Sequence, residues 1–396
     1  MTPTELKIDF PGIQTRLTNN EVDQIAEVIK TSKTHTMGPR LKEFEEKFAQ
    51  YIGTKYAVGL TNATAALELA AQVGGVQEGD EVLLPAHTFT ASALPFLKRK
   101  CKLVFVDIDP KTWVMDMADF EKKITSNTRA VVAVHLYGLP LDMDRLMPLV
   151  QKNNLLLIED CAQAVGAKYK GRRIGSFGHF SCFSFHSQKN LPTLGEGGML
   201  TTNSSEAYET ILGLRKIGAR PFKNQEKYWL PAMTNIIEAM PGEFPANYAL
   251  TEIQSFAGTL ILSRLDQLTA QRKKQFDYIA TQLKDFPEIQ FQKVEEGYES
   301  AYHLLPARYE GSGNGKNRND LIELLYNKYG VKCVTQYLPL YNYELFQKNG
   351  YTQKTCPVSD KFFDQMISIP FWSDMEQDKL ELLTQSLRSA LQELRS

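Results

Sequence analysis

Apolar residues recur with two distinct periods along the first half of the chain. Residues 21–33 space them three and four apart, as on one face of a helix, and Leu41, Phe44, Phe48 and Ile52 repeat that spacing. A second rhythm then sets in. Short apolar runs at residues 56–60, 81–84, 102–106, 130–134 and 155–158 predict strands. Pro85, Asp107 and the pair Glu159-Asp160 close three of them. Residues 62–71, 119–124 and 143–152 predict helices between them. Continuous apolar strands alternating with helices predict an α/β fold, a sheet covered on both faces.

Beyond Asp160 the alternation lapses. Residues 180–186 and 199–202 read as strands with no helix between them, which predicts an antiparallel element in a mixed, mostly parallel sheet. Residues 219–246, with Pro221, Pro231, Pro241 and Pro245, read as irregular. One long helical pattern runs from 247 to 283. The rest reads as a smaller α+β unit. It has strands at 303–308 and 332–337, a glycine loop at 311–315 and a helix at 320–329 closed by Gly330. A capping box from Ser373 to Glu376 opens a last helix with a stripe of Leu380, Leu383, Leu387, Leu391 and Leu394. The expected division is a large domain over 1–250 and a small one over 251–396.

With 396 residues, 43% hydrophobic and 23% charged, the chain is long enough to bury a core without staples. Its formal net charge of -1 builds no basic field for nucleic acid. Lys98-Arg99-Lys100, the densest basic run, reads as a solvated loop. Cys101, Cys161, Cys182, Cys333 and Cys356 are odd in number and form no CxxC, which suits reduced thiols in a cytoplasmic protein. The first residues carry no signal-peptide pattern, and no apolar run reaches a membrane span.

Neither a P-loop, a GxGxxG nor an HExxH occurs. His179, Cys182 and His186 are spaced for a metal only at first sight: on a strand, His179 faces away from the other two, and no metal is expected.

Three segments carry the chemistry. Asn62-Ala63-Thr64-Ala65-Ala66 joins a strand to a helix, where small residues, free N–H groups and a hydroxyl suit a phosphate, or simply cap the helix. Glu159-Asp160 puts carboxylates at the C-terminal end of an apolar strand, where open α/β sheets bind ligands and where an Asp also caps turns. Lys189 follows a buried strand and precedes Gly195-Glu196-Gly197-Gly198. Desolvated there, it becomes a nucleophile for carbonyls; left in water, it is one more surface lysine. A phosphate cradle, a carboxylate and such a lysine are together what pyridoxal 5′-phosphate demands.

The chain resembles the DegT group of nucleotide-sugar aminotransferases, within fold-type I pyridoxal-phosphate enzymes. The resemblance rests on GLTNATAAL, PAHTFTASA, VHLYGLPLDMD, IEDCAQAVGA, SFHSQKNLPTLGEGGML, NYALTEIQ, QYLPLY and ISIPF, in that order. It implies the Schiff-base role for Lys189, the pyridine-nitrogen partner for Asp160, and a place near the phenolic oxygen for Gln163. It further implies phosphate contacts from Thr64, Ala65 and Ser184, ring stacking by Phe89, and a reach by Asn247 into the neighbouring subunit's site. A homodimer with shared sites follows from the last of these. His186 is expected to pack against the cofactor pocket, and Glu196 to shape its loop.

Two positions depart from the family pattern. Ala249 stands where an Arg is usual, and the segment from Gln336 to Tyr341 lacks a His. The implied reaction moves an amino group from glutamate or glutamine to a keto group of a nucleotide-linked deoxysugar, in amino-sugar and polysaccharide biosynthesis. The departures leave open a keto-cyclitol as acceptor. A non-catalytic regulator on the same fold is the reading from another class.

Overall fold

The computed structural model describes residues 5–218, 238–311, 313 and 315–395. Its centre is a seven-stranded sheet. The strands are β1 (Tyr56–Leu60), β2 (Glu81–Pro85), β3 (Lys102–Val106), β4 (Thr128–Val134), β5 (Leu156–Asp160), β6 (Phe180–Ser184) and β7 (Gly198–Thr202). Their spatial order is β1-β7-β6-β5-β4-β2-β3. β7 runs against both of its neighbours, and the pairings from β3 to β6 are parallel. β2, β5, β6 and β7 are buried along their whole length, because helices cover both faces. Parallel pairing also brings the C-terminal ends of β2, β4, β5 and β6 to one edge, where the loops that leave them meet.

Helix α1 (Asn19–Thr31) opens with a capping box between Thr18 and Glu21. Helix α2 (Pro39–Ile52) buries Leu41, Phe44, Phe48 and Ile52, the predicted stripe. Phe48 packs edge-on against Phe183 of β6, ring centroids 4.9 Å apart. Helix α3 (Ala63–Val73) starts one residue after the predicted position, with Asn62 as its cap.

The single helix predicted over 247–283 is two helices, α4 (Glu252–Leu262) and α5 (Leu265–Gln282). Thr251 and Gln254 form a capping box, so residues before them stay outside the helix. The break falls at Ser263 and Arg264. The Ser263 hydroxyl turns back to the Leu260 carbonyl at 2.6 Å, and Arg264 is pulled aside by Glu21 at 2.8 Å and the Arg16 carbonyl at 2.7 Å. Periodicity did not expose the break because both helices bury an apolar face.

A smaller antiparallel sheet holds β8 (Ile289–Phe291), β9 (Leu305–Tyr309) and β10 (Met366–Ile369), in that order. Helix α6 (Gln377–Arg395) buries Leu380, Leu383, Leu387, Leu391 and Leu394 in the core of this unit. Each such leucine contributes about 1.5–3 kcal/mol. The predicted capping box is not formed, because Ser373 pairs its hydroxyl with Thr15 at 3.1 Å. Nor is 332–337 a strand: Val331 bridges Ile8 and Val334 bridges Ser368, single contacts with two different partners. Most of the predicted irregular stretch 219–246 lies outside the described residues.

Two hydrophobic cores result. Leu250, Ile261, Leu262, Leu265 and Leu268 belong to the core of the large sheet. Ile279 and Leu283 belong to the second core. Helix α5 therefore contributes to both cores. Among the described residues no helix is long and apolar enough to cross a membrane. All five cysteines are buried free thiols.

Candidate active site

Strand ends and the loops that leave them enclose a cavity of about 850 Å³. Thr64, Phe89, Asp160, Gln163, Ser184 and Lys189 all line it, although they are spread from position 64 to position 189 of the sequence.

One end is built by α3. Asn62 Oδ1 accepts from the Ala65 N–H at 2.8 Å, and Ala63 and Thr64 face the cavity. The positive pole of the helix and the Thr64 hydroxyl therefore meet the ligand space. Ser184 adds a second hydroxyl from the end of β6. Gly198 of β7 lies opposite Ser184, and a Cβ there would stand 2.3 Å from the Asn62 carbonyl carbon. Glycine is what lets this strand lie against the cap. Ala65 is buried and does not line the cavity, and its N–H is given to Asn62. Asn247 is exposed, bridges Lys216 and does not line the cavity of its own chain.

Asp160 ends β5 and is buried. Its Oδ2 accepts from the Ser92 hydroxyl at 2.7 Å and its Oδ1 from the Ala162 N–H at 3.1 Å. Each oxygen keeps a further lone pair for a cationic N–H donor. Thr88 lies 3.0 Å from Ser92 and completes the chain of hydroxyls. Phe89 is 55% exposed, yet it forms part of the wall and stands edge-on to Tyr337 at 5.8 Å.

Lys189 is half-buried as a residue. Burial of its amine lowers the pKa to about 8, against the pull of Asp160 in the other direction. Its backbone N–H bonds the His186 carbonyl at 2.8 Å. His186 lines the cavity beside it, with Nδ1 accepting from the Gln188 N–H at 3.2 Å. Glu196 also lines the cavity, and its carbonyl takes Thr193 Oγ1 at 3.0 Å and Gln254 Nε2 at 2.6 Å, which fixes the loop.

Sequence reasoning missed several neighbours. His303 lines the cavity, and Lys189 and Arg272 add to burial in holding its pKa well below the ordinary value. Asn190 Nδ2 gives to the Ala301 carbonyl at 2.8 Å, so its Oδ1 accepts from His303 Nδ1 at 3.1 Å. Gln14 lines the cavity and accepts from buried Arg272 at 2.8 Å. His303, Gln14 and Arg272 lie far from any quoted motif and no local pattern marked them, whereas Asn190 directly follows Lys189 in SFHSQKNLPTLGEGGML. Ser92 sits inside PAHTFTASA, where its hydroxyl was the available signal.

Beneath the cavity floor, Glu159 is fully buried. It accepts from His135 Nε2 at 3.1 Å, Ser181 Oγ at 2.9 Å and the N–H groups of Gly175, Phe177 and Gly178 at 3.0, 2.8 and 2.6 Å. Burial pushes its pKa up, but these donors, His135 foremost, bring it below the usual value. Cys161 lies close to this pair. Five donors on Glu159, with Leu141 N–H on His135 Nδ1, make the group a hydrogen-bonded brace rather than a set of open ligands. Of the spacing considered for a metal, His179 Nδ1 instead accepts from the Leu157 N–H at 3.0 Å.

The donor set suits pyridoxal 5′-phosphate: a helix pole with hydroxyls, a buried acceptor carboxylate and a lysine of lowered pKa share one cavity. Comparison with known proteins agrees. GDP-perosamine synthase of Escherichia coli O157:H7 is 30% identical over 96% of this chain and 97% of its own length. The dTDP-3-amino-3,6-dideoxy-alpha-D-galactopyranose transaminase of Aneurinibacillus thermoaerophilus is 30% identical over 93% of this chain and 94% of its own. The structure of S. venezuelae DesV in complex with a ketimine intermediate superposes with a TM-score of 0.83, at 30% identity and 94% coverage of both chains. Residues 15–388 match the DegT/DnrJ/EryC1/StrS aminotransferase family. This chain belongs to that family, as a pyridoxal-phosphate-dependent sugar aminotransferase.

Proposed function

We propose that this enzyme transfers an amino group from glutamate or glutamine to a keto group of a nucleotide-linked deoxysugar, for polysaccharide or other amino-sugar biosynthesis. The observation that carries the reading is Lys189, its pKa lowered to about 8, sharing one cavity with Asp160 and Thr64. Bound there, the cofactor supplies an electron sink for the carbon that carries the amino group.

The protein's own groups do the rest. The α3 terminus, Thr64 and Ser184 would hold the phosphate. Asp160, held between Ser92 and Ala162, would keep a proton on the ring nitrogen. Lys189 would hold the aldehyde carbon and, once released, carry the proton between carbon atoms. A lysine of pKa near 8 both gives and takes a proton at neutral pH. Phe89 would cover the ring face. A cavity of about 850 Å³ leaves room for a substrate beside the cofactor.

A homodimer in the cytoplasm completes the proposal. Phe89 is 55% exposed in the single chain although it lines the cavity, and the exposure of Asn247 supports a role for it in a neighbouring chain's site. Sedimentation velocity tests the assembly, and a monomer that turns over at full rate would remove it.

The test of the reaction is direct. Glutamate added to the purified yellow protein should bleach its long-wavelength absorbance and release 2-oxoglutarate. A panel of keto-sugar nucleotides should then restore the colour. Restoration by keto-inositols alone would move the assignment to a cyclitol acceptor. A colour that neither donor changes would refute transamination.

A further inference from the structure

We propose that Tyr337 is a second hydrogen-bond donor to the phenolic oxygen of the cofactor, beside Gln163. The proposal rests on the placement of Gln163 at that oxygen.

Tyr137 sets the orientation. Its backbone N–H can only donate, and it lies 2.6 Å from Gln163 Oε1. That contact fixes the amide: the carbonyl end faces Tyr137 and the NH₂ end faces Tyr337 Oη at 2.9 Å. An amide NH₂ accepts nothing, so the Tyr337 oxygen is the acceptor in this pair. Its own hydrogen is left over. Among the described residues, no other partner takes it. Tyr337 lines the cavity, so a ligand bound there can supply the acceptor.

The phenol is held from several sides. It stacks on Tyr137 with centroids 6.4 Å apart and planes 14° apart. The Tyr137 hydroxyl gives to the Gln336 carbonyl at 2.6 Å, which anchors the residue before Tyr337. That hydroxyl has spent its hydrogen, so His87 Nε2, 2.7 Å away, is the donor to it. Burial raises the Tyr337 pKa well above the ordinary phenol value, so the hydrogen stays in place at neutral pH. Gln163 keeps one N–H beyond the one spent on Tyr337. Two free donors on atoms 2.9 Å apart suit one anionic oxygen with several lone pairs. Tyr137 and His87 are then positioning residues for the pair.

A donor to that oxygen favours the deprotonated form of the bound cofactor. It lowers the midpoint of the cofactor's absorbance titration with pH, and its removal raises the midpoint. The test uses full-length, cofactor-loaded protein without substrate. Tyr337→Phe should raise the midpoint by about one pH unit, the size of one hydrogen bond to a charged group. Gln163→Leu should raise it as well. Thermal unfolding of both loaded variants checks that the fold is intact. A midpoint moved by Gln163→Leu and left alone by Tyr337→Phe overturns the proposal and leaves the placement of Gln163 standing. A midpoint moved by neither overturns both. Should Tyr337→Phe leave the titration alone and raise only the KM for a keto-sugar nucleotide, the hydroxyl serves the acceptor and the proposal fails.

Discussion

The hydroxyl of Ser92 gives its hydrogen to Oδ2 of Asp160 over 2.7 Å, with both residues buried. The pair joins the short helical turn after β2 to the end of β5. It sets the angle at which the carboxylate meets the cavity. Ser92→Ala should slow the bleaching of the cofactor by glutamate roughly tenfold, the worth of one bond to a charged group. Stopped-flow absorbance measures it. Asp160→Asn should cost far more, about a hundredfold or beyond, because the ring nitrogen loses its anionic partner.

Lys189→Ala should reduce steady-state release of 2-oxoglutarate by at least about a thousandfold, since one side chain both anchors the cofactor and moves the proton. The variant should still bind the cofactor through the α3 end. An assay of keto acid with and without the acceptor decides it.

Capture of the cofactor by the cofactor-free protein should depend on pH through the same amine. Its pKa is lowered to about 8, so the neutral nucleophile is scarce below that pH. The capture rate should rise about tenfold per pH unit towards pH 8 and then level off. Linkage has the matching sign. The unfolded chain holds this proton up to the ordinary lysine value of 10.5, so the contribution to stability grows as pH rises from about 8 to 10.5. Absorbance at fixed cofactor concentration reports the rate.

Arg215 and Glu45 form a buried ion pair between the helix after β7 and α2, and Glu45 also accepts the Gly59 N–H at 2.8 Å. Arg215→Ala should destabilise the protein by about 3–5 kcal/mol, because an unpaired carboxylate stays inside. Burial already pushes the Glu45 pKa up, and Arg215 is its main counterweight. The double variant with Glu45→Gln should regain part of the loss. Urea unfolding of the two variants measures both.

The local chemistry of the site could be read from the chain. A run of LLLIED fixes a buried strand with Asp160 at its end, because an apolar segment must be covered. Asn62 before an Ala-rich helix fixes a cap, because the first N–H groups need an acceptor. The leucine stripe of the last helix fixes its buried face. These are short-range constraints, so a linear reading captures them.

Contacts between distant segments are of another kind. The break at Ser263 depends on Glu21, more than two hundred positions away, and the loss of the predicted capping box depends on Thr15. Whether Lys189 is an ordinary lysine or one of pKa near 8 is decided by the walls that His303, Gln14 and Tyr337 bring to it. Sequence determined which groups are available and on which elements they stand. Tertiary structure alone decided which of them lose water together, because desolvation belongs to a closed space and not to any stretch of chain.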